Sequence, residues 1–149
     1  ALGEINNSKD LTIRASIIGP ELKNNGTGLF DWFMKQKASA KGFADHFWTG
    51  VTTLELAKAV EYFLKNSIAG LVHLTNSTKI SKYELLNLIN EYRPGSRIRI
   101  EKTVTGQPID KSLICTRKDF DYRVPDYQKM IIELFEYIEK HMQLYGDKY

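Results

Sequence analysis

The chain has 149 residues, of which 42% are hydrophobic and 26% charged, and its formal net charge is +3. This length and composition predict one globular domain over residues 1–149 and exclude an intrinsically disordered chain. The charge is too small to indicate a nucleic-acid partner, and no apolar run approaches the roughly 18 residues of a membrane span, so we expect a cytoplasmic protein without nucleic-acid or membrane binding.

The first predicted elements are the end of a helix, a strand and a second helix. Residues 1–5 have the composition of a last helical turn. Leu11–Ile18 (LTIRASII) alternates apolar and polar residues before the Gly19-Pro20 break, which is typical of a strand. Gly28–Gln36 predicts a helix. Its apolar face would contain Leu29, Phe30, Phe33 and Met34.

Two capping boxes predict the next two helices. In such a box a hydroxyl accepts from the backbone NH three residues on, and a glutamate there reaches back. Thr52-Thr53-Leu54-Glu55 predicts a helix to about Lys65, and Ser81-Lys82-Tyr83-Glu84 predicts one to about Glu91. Between them, Gly70–Thr75 predicts a short buried strand. The inward face of the first helix would contain Leu56, Val60, Phe63 and Leu64.

The last third of the chain predicts a strand and a helix. Ile98 and Ile100 alternate with charged residues, which indicates a half-buried strand. Asp126, after Pro125, begins a helix that we expect to end near Gly146. Its inward residues would be Met130, Ile131, Leu134, Phe135 and Ile138. The order strand, helix, helix, strand, helix, strand, helix predicts an α/β fold.

Few residue patterns point to chemistry by themselves. The turn 25–28 (NGTG) precedes a helix and would suit an anion, but Asp31 stands where a third glycine would complete a nucleotide-binding fingerprint, so a flexible turn is favoured. His46, beside Phe47 and Trp48, would be a proton shuttle, a stacking platform or a partly buried member of an aromatic cluster, of which we favour the last.

The remaining candidate residues give no clearer indication of a functional site. His73 lies in an apolar strand and is predicted to be a packed histidine, and Cys115, the single cysteine, is predicted to be a small buried residue. No spacing specifies a catalytic triad or a metal site, so no metal ligand is predicted. Segment 97–118 contains six Lys or Arg residues and would be either a solvated loop or a surface for a phosphate-bearing ligand.

The chain resembles the C-terminal half of extended short-chain dehydrogenase/reductases in four phrases. In order, these are IRASIIGP, FADHFWTGVTTLELAKAVEYFL, GLVHLTNSTKISKYELLNLI and DKSLICTRKDFDYRVPDY. They are most similar to the branch of dTDP-4-dehydrorhamnose reductase and related nucleotide-sugar reductases. The resemblance implies a partial Rossmann-like, NAD(P)-binding sheet with a substrate-binding subdomain, truncated at its N-terminus.

The same resemblance implies which chemistry lies outside this sequence. In this family a Tyr-x-x-x-Lys pair and a Gly-rich turn act in catalysis and cofactor binding, and the pair would precede Ala1. No tyrosine of this chain is followed by a lysine four positions on, and no Gly-rich strand-turn-helix pattern occurs. We therefore expect NAD(P) to bind the intact parent, no cofactor to bind this chain alone, and no catalytic residue within it.

The site residues implied by the resemblance lie after the first strand, in a loop at 46–49 and in the late basic segment. The cofactor would contact Ser16 and Ile18. The nucleotide sugar would contact Ile17, His46, Trp48, Thr49, Lys111, Arg117 and Lys118. A purely structural role is the alternative for each loop residue.

Several functions remain open at this point. The implied parent reduces a 4-keto sugar for cell-surface polysaccharide, while a nucleotide-sugar epimerase or dehydratase is an alternative. Others are a non-catalytic module that binds a nucleotide sugar or a protein, and a structural domain that stabilises an oligomer. Because strand Leu11–Ile18 would have an unpaired edge, a homodimer is also expected.

Overall fold

The computed structural model describes residues 3–5, 7–23, 25–145 and 148. The strands among them are β1 (Leu11–Arg14), β2 (Ile17–Ile18), β3 (Ser39–Phe43), β4 (His46–Trp48), β5 (Val51–Thr52), β6 (Gly70–His73), β7 (Ile80–Ser81), β8 (Arg99–Thr103) and β9 (Ile109–Lys111). The helices are α1 (Leu29–Met34), α2 (Thr53–Lys65), α3 (Lys82–Tyr92), α4 (Tyr127–Lys140) and α5 (Met142–Tyr145). Strands and helices alternate, which confirms the α/β prediction.

The strands form four small sheets. Three are parallel pairs, β1 with β6, β2 with β5 and β3 with β8. In the fourth, β4 lies between β7, to which it is antiparallel, and β9, to which it is parallel. Parallel neighbours distant in sequence need crossover connections, here supplied by segments that contain the helices.

The strand predicted over Leu11–Ile18 is divided in the structure. β1 pairs with β6, whereas β2 pairs with β5. At the step between them, the Ser16 carbonyl accepts a hydrogen bond of 2.9 Å from the Val51 backbone NH. The change of partner therefore divides a run whose apolar alternation is continuous.

The helix starts follow the predicted caps, with one difference. The second capping box is complete, because Ser81 Oγ accepts from Glu84 N at 3.1 Å and the Glu84 carboxylate accepts from Ser81 N at 2.9 Å. In the first, Thr52 Oγ1 accepts from Glu55 N at 3.2 Å, but the Glu55 carboxylate instead accepts from the Tyr122 hydroxyl at 2.5 Å. The first box is therefore only half formed.

Two clusters of buried apolar side chains lie on either side of α4. One joins α1, α3 and α4 through Phe30, Phe33, Leu85, Ile89 and Leu134. The other joins α2, β5 and β6 through Val51, Ala59, Phe63, Val72 and Met130. Placing Leu64 inward was wrong, because it is 72% exposed and the buried stripe of α2 consists of Glu55, Ala59 and Phe63.

The two chain ends differ from the predictions where they are described. Ala1 and Leu2 of the predicted helical turn lie outside the described residues, while Gly3 lies in a turn with φ of +96°. The final helix ends at Lys140 and is followed by the short α5, and the predicted end at Gly146 lies outside the described residues. None of the helices in the described ranges is long and apolar enough to cross a membrane.

Candidate functional site

The β7-β4-β9 sheet brings three of the predicted site residues to one face. The predicted loop at 46–49 is largely a strand, since His46–Trp48 forms β4. Trp48 pairs with Lys111 on β9, and His46 pairs with Ile109 two positions earlier. Because paired residues share a face and alternate residues return to it, His46, Trp48 and Lys111 lie on the same side of this sheet.

His46 is held by an aromatic ring and a hydroxyl. Its imidazole stacks on Phe43 with 4.7 Å between ring centroids, and Nε2 lies 3.4 Å from Thr105 Oγ1. That hydroxyl donates to Asp45 Oδ2 at 2.7 Å. Burial raises the pKa of Asp45, but hydrogen bonds from Thr105 and Gly106 outweigh it and hold this pKa below its ordinary value. An ionised Asp45 therefore holds the Thr105 hydroxyl in place beside the His46 ring.

A small apolar cavity of about 140 Å³ lies between β2, β4 and the starts of α1 and α3. Its lining is formed by Ile17, Ile18, Leu29, Trp48, Lys82 and Leu85. Ile17 is 51% exposed, whereas Ile18 is 5% exposed and belongs to the core. The cavity thus joins two regions that the resemblance assigned separately, the end of the first strand and the segment around Trp48.

Gly50 allows Trp48 to approach the chain at this cavity. A Cβ on Gly50 would lie 2.2 Å from the Ser16 carbonyl oxygen and 2.2 Å from Cζ2 of Trp48. Real Cβ atoms do not come this close, so any larger residue must displace the indole or the β2–β5 pairing. The other side of Trp48 lies against Tyr127, with ring centroids 5.8 Å apart.

Thr49 and Ser16 hold the backbone around the cavity. Thr49 is 1% exposed, and its Oγ1 accepts from the Leu113 backbone NH at 2.6 Å. This bond joins the end of β4 to the segment that follows β9. Ser16 contributes its carbonyl, which is bonded to Val51 N. Thr49 is thus buried and its hydroxyl fixes the backbone at the end of β4, while its predicted contact with the nucleotide sugar stays a prediction.

Arg117 and Lys118 lie apart from this face. Arg117 Nη1 donates to the Ala69 carbonyl at 2.6 Å, and its Nε donates to Asp119 Oδ1 at 2.9 Å. Arg117 and Lys118 instead line a second cavity of about 270 Å³, together with His73, Cys115 and Tyr122. Ala69 precedes β6, but the cavity that Arg117 lines extends to residues 74–77, at the carboxyl end of that strand.

Three residues of the β4 cavity were missed by sequence reasoning, Leu29, Lys82 and Leu85. Leu29 was predicted as core and also lines the cavity. Lys82 was read only as part of a capping box. Its position in the sequence could have singled out Lys82. Acidic residues are usual in the first turn of a helix, and a cation there opposes the helix dipole.

The predicted turn before α1 has a simple structural explanation. The turn before α1 is surrounded by carboxylates, since Glu21 accepts from Gly28 N and Asp31 accepts from Glu21 N at 3.1 Å. This favours the flexible turn over an anion site. Within the described ranges, no group of three or more His, Cys, Asp or Glu side chains is placed to hold a metal ion.

No protein-family model and no curated protein matches this sequence. The structure is similar to dTDP-4-dehydrorhamnose reductase from Bacillus anthracis in complex with NADP, with TM-score 0.71 and 16% identity over 87% of this chain and 48% of that chain. For the enzyme of that name from Clostridium acetobutylicum, the TM-score is 0.66 at 17% identity, over 89% and 50%.

A dehydratase is similar as well. For dTDP-glucose 4,6-dehydratase from Bacillus anthracis in complex with NAD, the TM-score is 0.63 at 13% identity, over 93% of this chain and 47% of that chain. This chain spans about half the length of the solved structures that it matches. At these identities the similarity establishes the fold, and the chain has the fold of about half of a Rossmann-like, NAD(P)-binding nucleotide-sugar enzyme.

Proposed function

We propose that this chain is the substrate-binding part of an NAD(P)-dependent nucleotide-sugar oxidoreductase. The parent would resemble dTDP-4-dehydrorhamnose reductase and reduce a 4-keto sugar in the cytoplasm, for cell-surface polysaccharide. The observation that carries this proposal is the match of 87% of the chain to about half of such a reductase with NADP bound.

The β4 face and its cavity would form one wall of the sugar site. Ile17 and Trp48 offer apolar surface to a sugar ring, and Lys111 and His46 offer a cation and a ring nitrogen to its polar groups. Thr49 would act by fixing the end of β4. Arg117 and Lys118 form a separate group, and their predicted contact with the nucleotide sugar stays a prediction.

The residues near the cofactor fit only one end of a dinucleotide. At the first strand end Ile17 is exposed and offers an apolar surface that suits a nicotinamide ring, while Ser16 and the largely buried Ile18 flank it. The sequence offers no Gly-rich turn for the pyrophosphate. When bound, NAD(P) supplies a hydride to the sugar carbonyl. The residues of this chain would orient the sugar and exclude water.

The isolated chain is proposed to be inactive. In the parent a tyrosine with a nearby lysine would donate the proton, and no tyrosine of this sequence has a lysine four positions on. Turnover of NAD(P)H by the purified 149-residue chain, in proportion to its concentration, would contradict this.

An alternative parent is a nucleotide-sugar dehydratase or epimerase. The match to dTDP-glucose 4,6-dehydratase covers 93% of this chain, slightly more than the match to the reductase. All these enzymes would need the same sugar-binding wall. A stand-alone module that binds a nucleotide sugar without reacting is compatible with the wall as well.

Association into a homodimer is also proposed. Within the described ranges, β1 is paired only on the side of β6, so the backbone groups of Leu11 and Ile13 on its other edge have no strand partner. Such an edge favours pairing with another chain. Two copies would form a C2 dimer by pairing their β1 edges.

Calorimetric titration of the purified chain with dTDP-glucose tests the central proposal. We expect saturable binding that is weakened by Trp48→Ala, because the variant removes the largest apolar surface of the cavity. Trp32→Ala is the matched control, since Trp32 lies on α1 outside the cavity lining. Absence of binding, or equal losses in both variants, would contradict a sugar site at Trp48.

A further inference from the structure

Lys82 is a half-buried cation at the rim of the apolar β4 cavity. Within the described residues no carboxylate lies within 4 Å of its ammonium group. Ion pairs in the described residues hold only three lysines, Lys58, Lys65 and Lys79, so the absence of a pair is common. What distinguishes Lys82 is that it lines an apolar cavity while its ammonium group has no ion-pair partner among the described residues.

Its position in α3 makes this arrangement electrostatically unfavourable. Lys82 is the first residue of α3, where the helix dipole favours anions and opposes cations. The acidic residue of that turn, Glu84, is committed to the capping box, because its carboxylate accepts from Ser81 N at 2.9 Å and from Ser81 Oγ at 2.7 Å. Glu84 keeps its negative charge in these bonds, but its carboxylate is turned to Ser81 and does not lie within 4 Å of the Lys82 ammonium group.

A second lysine lies next to Trp48 in the β7-β4-β9 sheet. Lys111 lies beside Trp48 through the β4–β9 pairing and has no ion pair in the described part of the chain. Lys79 is neutralised by Asp110, whose pKa is lowered to about 2, first by hydrogen bonds from Ser112 and then by Lys79. Lys82 thus lines the cavity together with Trp48, and Lys111 is the partner of Trp48 on the neighbouring strand.

We propose that Lys82 binds an anionic group of the ligand whose ring lies against Trp48 and Ile17. This rests on the proposed function and deepens it, since it makes Lys82 a determinant of substrate charge. The anion would be a phosphate of the nucleoside diphosphate or a carboxylate on the sugar. Both oxyanions accept charge-assisted hydrogen bonds from an ammonium group.

Three ligands distinguish a phosphate from a sugar carboxylate as the anion that Lys82 binds. Calorimetric titration would compare dTDP, dTDP-glucose and dTDP-glucuronic acid, of which the last two differ by one carboxylate. For Lys82→Gln we expect the dissociation constant to rise roughly tenfold or more. If the anion is a phosphate, the loss applies to all three probes. If it is a carboxylate, the loss is confined to dTDP-glucuronic acid.

The matched control is Lys41→Gln, which removes one exposed lysine of β3 that does not line the cavity. We expect it to bind as the unsubstituted chain does. Lys82→Arg keeps the charge and should retain binding within a few fold, which separates charge from folding. An equal loss in Lys41→Gln, or unchanged binding of all probes by Lys82→Gln, would overturn the role of Lys82 and leave the proposed function standing. No binding of any probe by the unsubstituted chain would overturn both.

Discussion

The hydroxyl of Tyr122 donates a hydrogen bond of 2.5 Å to the carboxylate of Glu55, which is 2% exposed. This contact joins the first turn of α2 to the segment before α4. Burial, and then the bond to Glu55, raises the pKa of the Tyr122 phenol far above its ordinary value. The pair thus holds together two parts of the chain far apart in sequence.

We expect Tyr122→Phe to lower the free energy of unfolding by about 1–3 kcal/mol, because it leaves a buried carboxylate oxygen without its donor. Urea unfolding followed by circular dichroism measures the change. Tyr83→Phe is the control, since no hydrogen bond of the Tyr83 hydroxyl is found in the described part of the structure, and its change should stay within about 0.5 kcal/mol. Equal effects would mean that the bond to Glu55 contributes nothing.

The same carboxylate makes stability depend on pH. Burial raises the pKa of Glu55 above its ordinary value of 4.5, although the bond from Tyr122 opposes this. Below pH 4.5 the side chain is protonated in both states. As the pH rises further, the unfolded chain releases the proton first, so folding loses free energy until the pH exceeds the folded-state pKa.

Glu55→Gln isolates this contribution. We expect the stability of the unsubstituted chain relative to Glu55→Gln to decrease between pH 4.5 and pH 7. Urea midpoints in a pH series measure it. A difference that stays constant or increases with pH would show that Glu55 titrates in the folded state at or below its ordinary value.

Gly50→Ala tests the close approach of Trp48. The added methyl group would meet the Ser16 carbonyl and the indole, each at 2.2 Å, so we expect about 1–3 kcal/mol of destabilisation and weaker binding of dTDP-glucose. Trp48 fluorescence in a Trp32→Phe background would report the displaced indole. Gly95→Ala, where no atom lies within 4 Å of the added group, should strain only its own turn and leave the fluorescence unchanged. Unaltered fluorescence in Gly50→Ala would contradict this account.

Arg117→Ala and Lys111→Ala separate the two groups of predicted substrate residues. We expect Arg117→Ala to lower stability by about 1 kcal/mol, because the Ala69 carbonyl loses its donor, and its dTDP-glucose affinity tests the contact that the resemblance implies. Lys111→Ala should weaken that affinity about threefold at low salt and leave stability unchanged. Loss of affinity without loss of stability in Arg117→Ala would support the role that the resemblance assigned to it.

The β1 edge predicts concentration-dependent association. Sedimentation velocity should show a dimer that dissociates on dilution. Ile13→Pro removes an outward NH without removing a bond to β6, and it should shift the chain towards monomer. Leu64→Ser, which removes an exposed apolar side chain of α2, should leave association unchanged. A monomer at all concentrations would show that the edge is covered.

Local sequence patterns predicted the helices well. Contacts between residues far apart in the sequence could not be predicted from such patterns. The starts of α2 and α3 follow from the hydroxyls of Thr52 and Ser81, which act within four residues. The inward face of α2 was misplaced because Glu55 is buried against Tyr122, a partner 67 residues away. A charged residue at a core position cannot be recognised without that partner.

The candidate site shows the same difference between what local patterns predict and what depends on long-range pairing. The resemblance assigned His46, Trp48 and Lys111, and the pairing of β4 with β9 places them on one face. The short β4 and β9 were not predicted, because three-residue strands show too little alternation to be recognised. Lys82 reaches the cavity through the β4–β7 pairing and the start of α3, neither of which appears in the spacing of residues along the chain.

The four parallel strand pairs of the described structure, among them β1–β6 and β3–β8, determine how this chain can fold. β1 pairs Leu11 with Gly70, and β3 pairs Ser39 with Arg99, so each pair closes a loop of roughly 60 residues. Neither pair can begin as a local hairpin, and the entropy of loop closure must be lost before any strand contact forms. We therefore expect α2 and α3 to form within microseconds, and the sheets to assemble over milliseconds to seconds. During synthesis β1 leaves the ribosome well before β6, and in that interval both of its edges are open to other chains.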